Sequence, residues 1–185
     1  MNVFATSLAG VLVIEPRVFT DARGWFVETY QRERYAAAGI TANAELVQDN
    51  VSFSRRGVLR GLHYQLRRPQ GKLVQVTQGL VFDVAVDIRR DSPTFGRWLG
   101  TILSADNHRQ LWIPPGFAHG FLALSDTAAV AYKCSAVYEP SDSHAIRWDD
   151  PELAIAWPLD GTPILSPADG IAPPFRDAAL PGAAE

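Results

Sequence analysis

Short β-branched and aromatic runs, cut at close intervals by Gly, Pro and Ser-Asp, set the tightest limit on how this chain folds. KLVQVTQGLVFDVAVDI (residues 72–88), RQLWIPPGF (109–117) and HGFLALSDTAAVAYKCSAVY (119–138) run apolar or alternating over strand length and then break. Only RERYAAAG (32–39), ended by Gly39, has the composition of a helix. Many short strands with few helices bury their faces in a sandwich or barrel, so the expected fold is mainly β with a jelly-roll topology. A ligand would sit in the barrel mouth.

At 185 residues the chain suits one domain, long enough to bury about 70% of the surface its unfolded form exposes. Residues 1–175 carry the domain, and the small, polar RDAALPGAAE from Arg176 to Glu185 is expected to be loosely ordered. A net charge of −3 offers no basic field for nucleic acid or an anionic membrane. Any arginines that bind anions must therefore be gathered locally. Cys134 is the single cysteine, which excludes an internal disulfide and fits a reducing cytosol. The apolar run LAGVLVI near the start lacks a basic flank, and no run reaches spanning length. The expectation is a soluble, cytoplasmic protein.

Hairpin arithmetic brings polar groups together. A two-residue turn at Gln78-Gly79 would pair Val76 with Val81 and Val74 with Asp83. Lys72, Val74, Val76, Val81, Asp83 and Ala85 would then share a face, with Lys72 and Asp83 as diagonal neighbours. Phe82, Val84, Val86 and Ile88 would pack on the other face. A turn at Ser125-Asp126 would likewise set His119 opposite Tyr132 and Phe121 opposite Val130. A surface ion pair and a structural His–Tyr bond remain equally open at this point.

Before the second hairpin stands PPGFAH, from Pro114 to His119. This Pro-x-Gly-x-x-His pattern resembles the second motif of the cupin superfamily, whose barrels often bind a metal through that histidine. The other half of such a site is a closely spaced His-x-His. The four histidines here (His63, His108, His119 and His144) are nowhere closer than eleven positions, so no metal is expected.

VLRGLHYQ (58–65), KLVQV, VFDVAVDIRRDSPTFGRW, QLWIPPGFAHGF, YKCSAVY and IRWDDPEL follow one another in order. With them the chain resembles the dTDP-4-dehydrorhamnose 3,5-epimerase family, roughly from Gly10 to Pro173. The resemblance implies a cupin-fold homodimer, free of cofactor, acting on dTDP-4-dehydro-6-deoxy-D-glucose on the way to dTDP-L-rhamnose for cell-surface glycans. Protons beside a 4-keto group leave as an enolate, so a base, a donor on the opposite face and a cation near the carbonyl oxygen suffice. By resemblance His63 is the base, Asp169 orients it, Tyr132 is the acid, and Lys72, held by Asp83, is the cation. Substrate contacts are implied for Arg23, Phe26 and Glu28 in DARGWFVET, for Gln48 and Asn50 in VQDN, and for Arg60, Asp83, His119 and Phe121. Tyr138 would stack on the thymine ring.

Ser143 and Ala168 stand where the family commonly has Glu and Lys, so a charged pair at the nucleotide end is missing. Strict alternation would put Arg60 and His63 on opposite faces, and a bulge at Gly61 would return them to one. The rival readings are an enzyme inverting only C3 or only C5, a metallocupin oxygenase, and a sugar-binding cupin without turnover.

Overall fold

The structure, a computed structural model, describes residues 1–40 and 45–182. The first strands are β1 (Asn2–Ala5), β2 (Leu12–Glu15), β3 (Val18–Asp21) and β4 (Gly24–Val27), followed by helix α1 (Arg32–Ala37). Next come β5 (Gln48–Arg55), β6 (Leu59–Gln65), β7 (Lys72–Gln78), β8 (Leu80–Asp87) and β9 (Trp98–Ser104). β10 (Gln110–Ile113), β11 (Phe117–Ala123), β12 (Thr127–Cys134), β13 (Ser143–Ala145) and helix α2 (Pro167–Gly170) complete the order. Among the described residues no helix is long and apolar enough to cross a membrane.

Two antiparallel sheets pack face to face. One runs β1-β2-β10-β7-β12-β5 and the other β13-β6-β11-β8-β9, while β3 and β4 form a separate ribbon. The fold is mainly β and jelly-roll-like, as expected. Side chains of period two from both sheets fill the space between them: Val74, Val76, Val81, Ala85, Leu103, Leu111, Phe121 and Val130 form one buried cluster. Each Val, Leu or Phe among them contributes roughly 1.5–3 kcal/mol by leaving water. The outer face of the six-stranded sheet is closed by α1, whose Tyr35 packs with Ile14, Leu73 and Trp112. Gln31 caps this helix, its side chain accepting from Arg34 N at 2.6 Å. Gly39, at φ +81°, ends it as its sequence suggested.

Neither expected hairpin exists. β7 pairs with β10 and β12, whereas β8 pairs with β9 and β11, so the chain changes sheets at Gly79. The link between β7 and β8 is one residue, too short for a hairpin turn, and it makes a corner instead. Gly79 has φ +76°, and a Cβ there would come 2.1 Å from Thr127 O, so only glycine fits. β11 and β12 part in the same way, and His119 is therefore not the ladder partner of Tyr132. Ser125 locks the two corners together, accepting from Leu80 N at 2.8 Å and donating to Thr127 O at 2.7 Å. The grouping of these side chains into two faces nevertheless holds, with the Lys72–Asp83 face turned between the sheets. Phe82, Val84, Val86 and Ile88 lie in a second cluster on the outer side of the five-stranded sheet.

That outer cluster also corrects the reading of the chain end. Ala178 is buried beside Phe175, Leu180 packs on the same cluster, and Tyr64 Oη donates to Ala179 O at 2.8 Å. The apolar outer face of β6 and β8 needs a cover, and residues 176–180 supply part of it rather than trailing loosely. Residues 183–185 of the expected tail lie outside the described residues.

Candidate active site

Polar side chains break the inward pattern at one end of the sandwich. β5 turns Gln48, Asn50, Ser52 and Ser54 inward, β7 turns Lys72, β12 Tyr132, β8 Asp83 and β11 His119. All but Ser54 and Asp83 line a cleft of two adjoining lobes, ≈ 440 Å³ and ≈ 430 Å³. His63, Lys72, Tyr132, Ser166 and Asp169 line both lobes. The sheet changes at Gly79 and after β11 are what bring Lys72 near Asp83 and His119 near Tyr132, across the sandwich rather than along a ladder.

The irregularity at Gly61 is present. β6 pairs with β11 so that His63 meets His119 and Arg60 meets Phe121. Gly61 and Leu62 therefore oppose Gly120 alone, a β-bulge. Gly61 sits at φ +121°, and a Cβ on it would come 2.5 Å from Gly120 Cα, so two glycines permit the close crossing. The bulge restores Arg60 and His63 to the same lobe. Arg60 spans to β5, its Nε donating to Ser54 Oγ and its Nη2 to Phe53 O, each at 3.0 Å.

His63 Nε2 lies 2.5 Å from Asp169 Oδ1, with the His63 side chain 42% exposed and that of Asp169 3%. Asp169 is carried on the short α2, where Ser166 Oγ accepts from Asp169 N at 3.1 Å. Burial alone would disfavour the Asp169 carboxylate, but bonds from His63, Ser166 and the Gly61 N–H outweigh it and hold its pKa below the ordinary value. Asp169 thus stays charged at neutral pH. With Nε2 directed at Asp169, His63 keeps Nδ1 to accept a proton.

Lys72 is buried, and burial lowers its pKa against the opposing pull of Cys134 and Asp83. A buried ammonium gains strongly from any anion that forms beside it. His119 is 6% exposed, and its Nε2 lies 3.0 Å from both oxygens of the fully buried Asp83. Burial pushes His119 toward its neutral form despite Asp83. Burial also raises the Tyr132 pKa, so its hydroxyl holds its proton at neutral pH.

In the second lobe Gln48 accepts from Tyr138 N at 2.7 Å and donates to Asn50 Oδ1 at 2.9 Å. Asn50 Nδ2 in turn faces Cys134 Sγ at 3.6 Å. Tyr138 is 51% exposed. Ser143 and Ala168 line this lobe as well. Among the described residues no three His, Cys, Asp or Glu side chains are gathered so as to hold a metal ion.

Of the candidates, His63, Asp169, Tyr132, Lys72, Arg60, His119, Phe121, Gln48, Asn50 and Tyr138 line the cleft, with Asp83 behind His119. Arg23, Phe26 and Glu28 do not. Arg23 pairs with Asp21 on the exposed β3–β4 ribbon, Phe26 is 65% exposed, and Glu28 bonds Arg34. Sequence reasoning missed Ser166, although Ser-Pro-Ala-Asp has the spacing of a capping box. It missed Ser54 too, because nothing local announces a serine that holds a guanidinium from another strand.

A family model described as dTDP-4-dehydrorhamnose 3,5-epimerase matches residues 5–177. The enzyme of that name from Pseudomonas aeruginosa is 54% identical over 94% of this chain and 97% of its own length. The one from Neisseria gonorrhoeae is 53% identical over 91% of this chain, which spans only 51% of that longer relative. A crystal structure of dTDP-6-deoxy-D-glucose-3,5-epimerase from Legionella pneumophila, in complex with dTDP-4-keto-L-rhamnose, superposes with a TM-score of 0.95. It is 50% identical and covers 100% of this chain and 99% of that one. The chain belongs to the dTDP-4-dehydrorhamnose 3,5-epimerase family.

Proposed function

We propose that this isomerase inverts C3 and C5 of dTDP-4-dehydro-6-deoxy-D-glucose, giving dTDP-4-dehydro-L-rhamnose on the route to dTDP-L-rhamnose for cell-surface polysaccharide. The observation that carries the reading is the His63–Asp169 pair at 2.5 Å in a cleft shared with Tyr132 and Lys72. His63 removes the proton beside the keto group, and Asp169 stabilises the imidazolium that forms. Negative charge then moves to the keto oxygen, where the Lys72 ammonium offsets it. Tyr132, kept protonated by burial, returns a proton to the opposite face. Two such inversions need no oxidant and no net proton, since each proton removed is replaced. The ligand in the Legionella structure, a 4-keto-L-rhamnose on dTDP, supports the same chemistry.

The test is proton NMR of the product formed in heavy water. Deuterium at both C3 and C5 is expected. Label at one carbon alone would make this a mono-epimerase, and no label would sink the enolate reading.

The active unit is a homodimer in this reading, and the cytoplasm its compartment, where the buried thiol of Cys134 stays reduced. The β3–β4 ribbon exposes Phe19, Trp25 and Phe26 at 49%, 60% and 65%. Arg23 and Phe26 on this ribbon, and Glu28 just after it, all absent from their own cleft, are then supplied to the cleft of the second copy. Sedimentation at micromolar concentration should give twice the chain mass, and a monomer that turns over normally would overturn this assembly.

A further inference from the structure

Ser52 Oγ is the one buried side-chain oxygen or nitrogen among the described residues that has no hydrogen-bond partner. It belongs to the lobe lined by Arg60, His63, Lys72 and Tyr132. Its neighbours on the inner face of β5 are all engaged. Gln48 and Asn50 bond each other, and Ser54 accepts from Arg60. Across the ladder Ser52 meets Val130, which offers no polar side chain. An unpaired buried hydroxyl lowers stability, and native proteins hold few of them. One that borders a substrate cleft has an obvious source for its missing partner.

On the epimerase reading above, we infer that Ser52 is a substrate-binding residue whose hydroxyl bonds an oxygen of the nucleotide sugar between Arg60 and Tyr132. The hydroxyl has no bond to give up, so turning it about χ1 toward the cleft sacrifices nothing it already makes. The partner is an acceptor on the hexose or on the diphosphate, since both present oxygens of suitable size.

The experiment is Ser52→Ala, followed by melting, by steady-state kinetics and by calorimetry with dTDP and with dTDP-glucose. The variant should melt at the same temperature or higher, because the alanine leaves no hydroxyl unpaired. The specificity constant should nevertheless fall about tenfold, mainly through KM, as loss of one ground-state contact requires. Weaker binding of dTDP-glucose alone would assign the partner to the hexose. Equal weakening of both ligands would assign it to the diphosphate. Unchanged affinity for both, with a raised or equal melting point, would overturn the inference. Wild-type protein that binds neither ligand would overturn the epimerase reading along with it.

Discussion

His63→Ala is expected to abolish both epimerisation and the exchange of substrate protons with heavy water. Without the imidazole no group at this position can take the proton, so no enolate forms and neither readout survives. A positioned base contributes about 100- to 10,000-fold in rate, far above the noise of either assay. The substitution also removes one of the bonds that keep Asp169 ionised, while Ser166 and the Gly61 N–H remain. Melting of the variant therefore separates lost chemistry from lost structure. His63→Ala that still exchanged deuterium at near wild-type rate, in a folded protein, would move the base to another residue. His119 would then be the first to test, since it faces His63 across the β6–β11 ladder.

Much of the site was legible because alternation along a strand is a local property. Lys72 and Asp83 share a face with Val74, Val76 and Val81 by parity alone, and parity does not depend on which strand lies alongside. Pairing does depend on it, and there the reading failed. Gln78-Gly79 and Ser125-Asp126 look like hairpin turns, yet each marks a change of sheet. What decides between hairpin and corner is whether both faces of the next strand need cover. β8 buries Val81 and Ala85 between the sheets and Val84 and Val86 beneath the chain end, so it belongs inside a second sheet, between β11 and β9. That need is set by residues such as Leu153, Phe175 and Ala178, far along the chain.

Gly61 shows the opposite case. A conflict between strand parity and the roles of Arg60 and His63 pointed to a bulge, and the register of β6 on β11 contains one. The second glycine of that crossing, Gly120, carried no signal, since its need arises from the close approach of β6. The ribbon from Val18 to Val27 was least legible. Its residue types suit a phosphate and a sugar, but no periodicity says that Arg23 and Phe26 stand away from their own cleft. The exposure of three large aromatic side chains is visible only once the chain is folded.

Tyr132→Phe should separate proton removal from inversion. The change deletes one hydroxyl from a side chain that packs against the core between the sheets, so the fold should persist. His63 can still remove the proton, and Lys72 can still stabilise the enolate. What is lost is the donor on the other face. The enolate must then recover its proton from the side it left, and the sugar returns to its starting configuration. His63 is 42% exposed, so its ring proton can trade with solvent before it returns. In heavy water the variant should therefore place deuterium in recovered substrate while forming little inverted product, with inversion down about 100- to 10,000-fold. A double variant with His63→Ala should lose the exchange as well, because the washed-in label depends on the base alone. Normal inversion by Tyr132→Phe would show that water or another side chain is the acid. Loss of exchange and inversion together in the single variant would instead mean that the Tyr132 hydroxyl is needed before the enolate forms, as an orienting contact for the bound sugar.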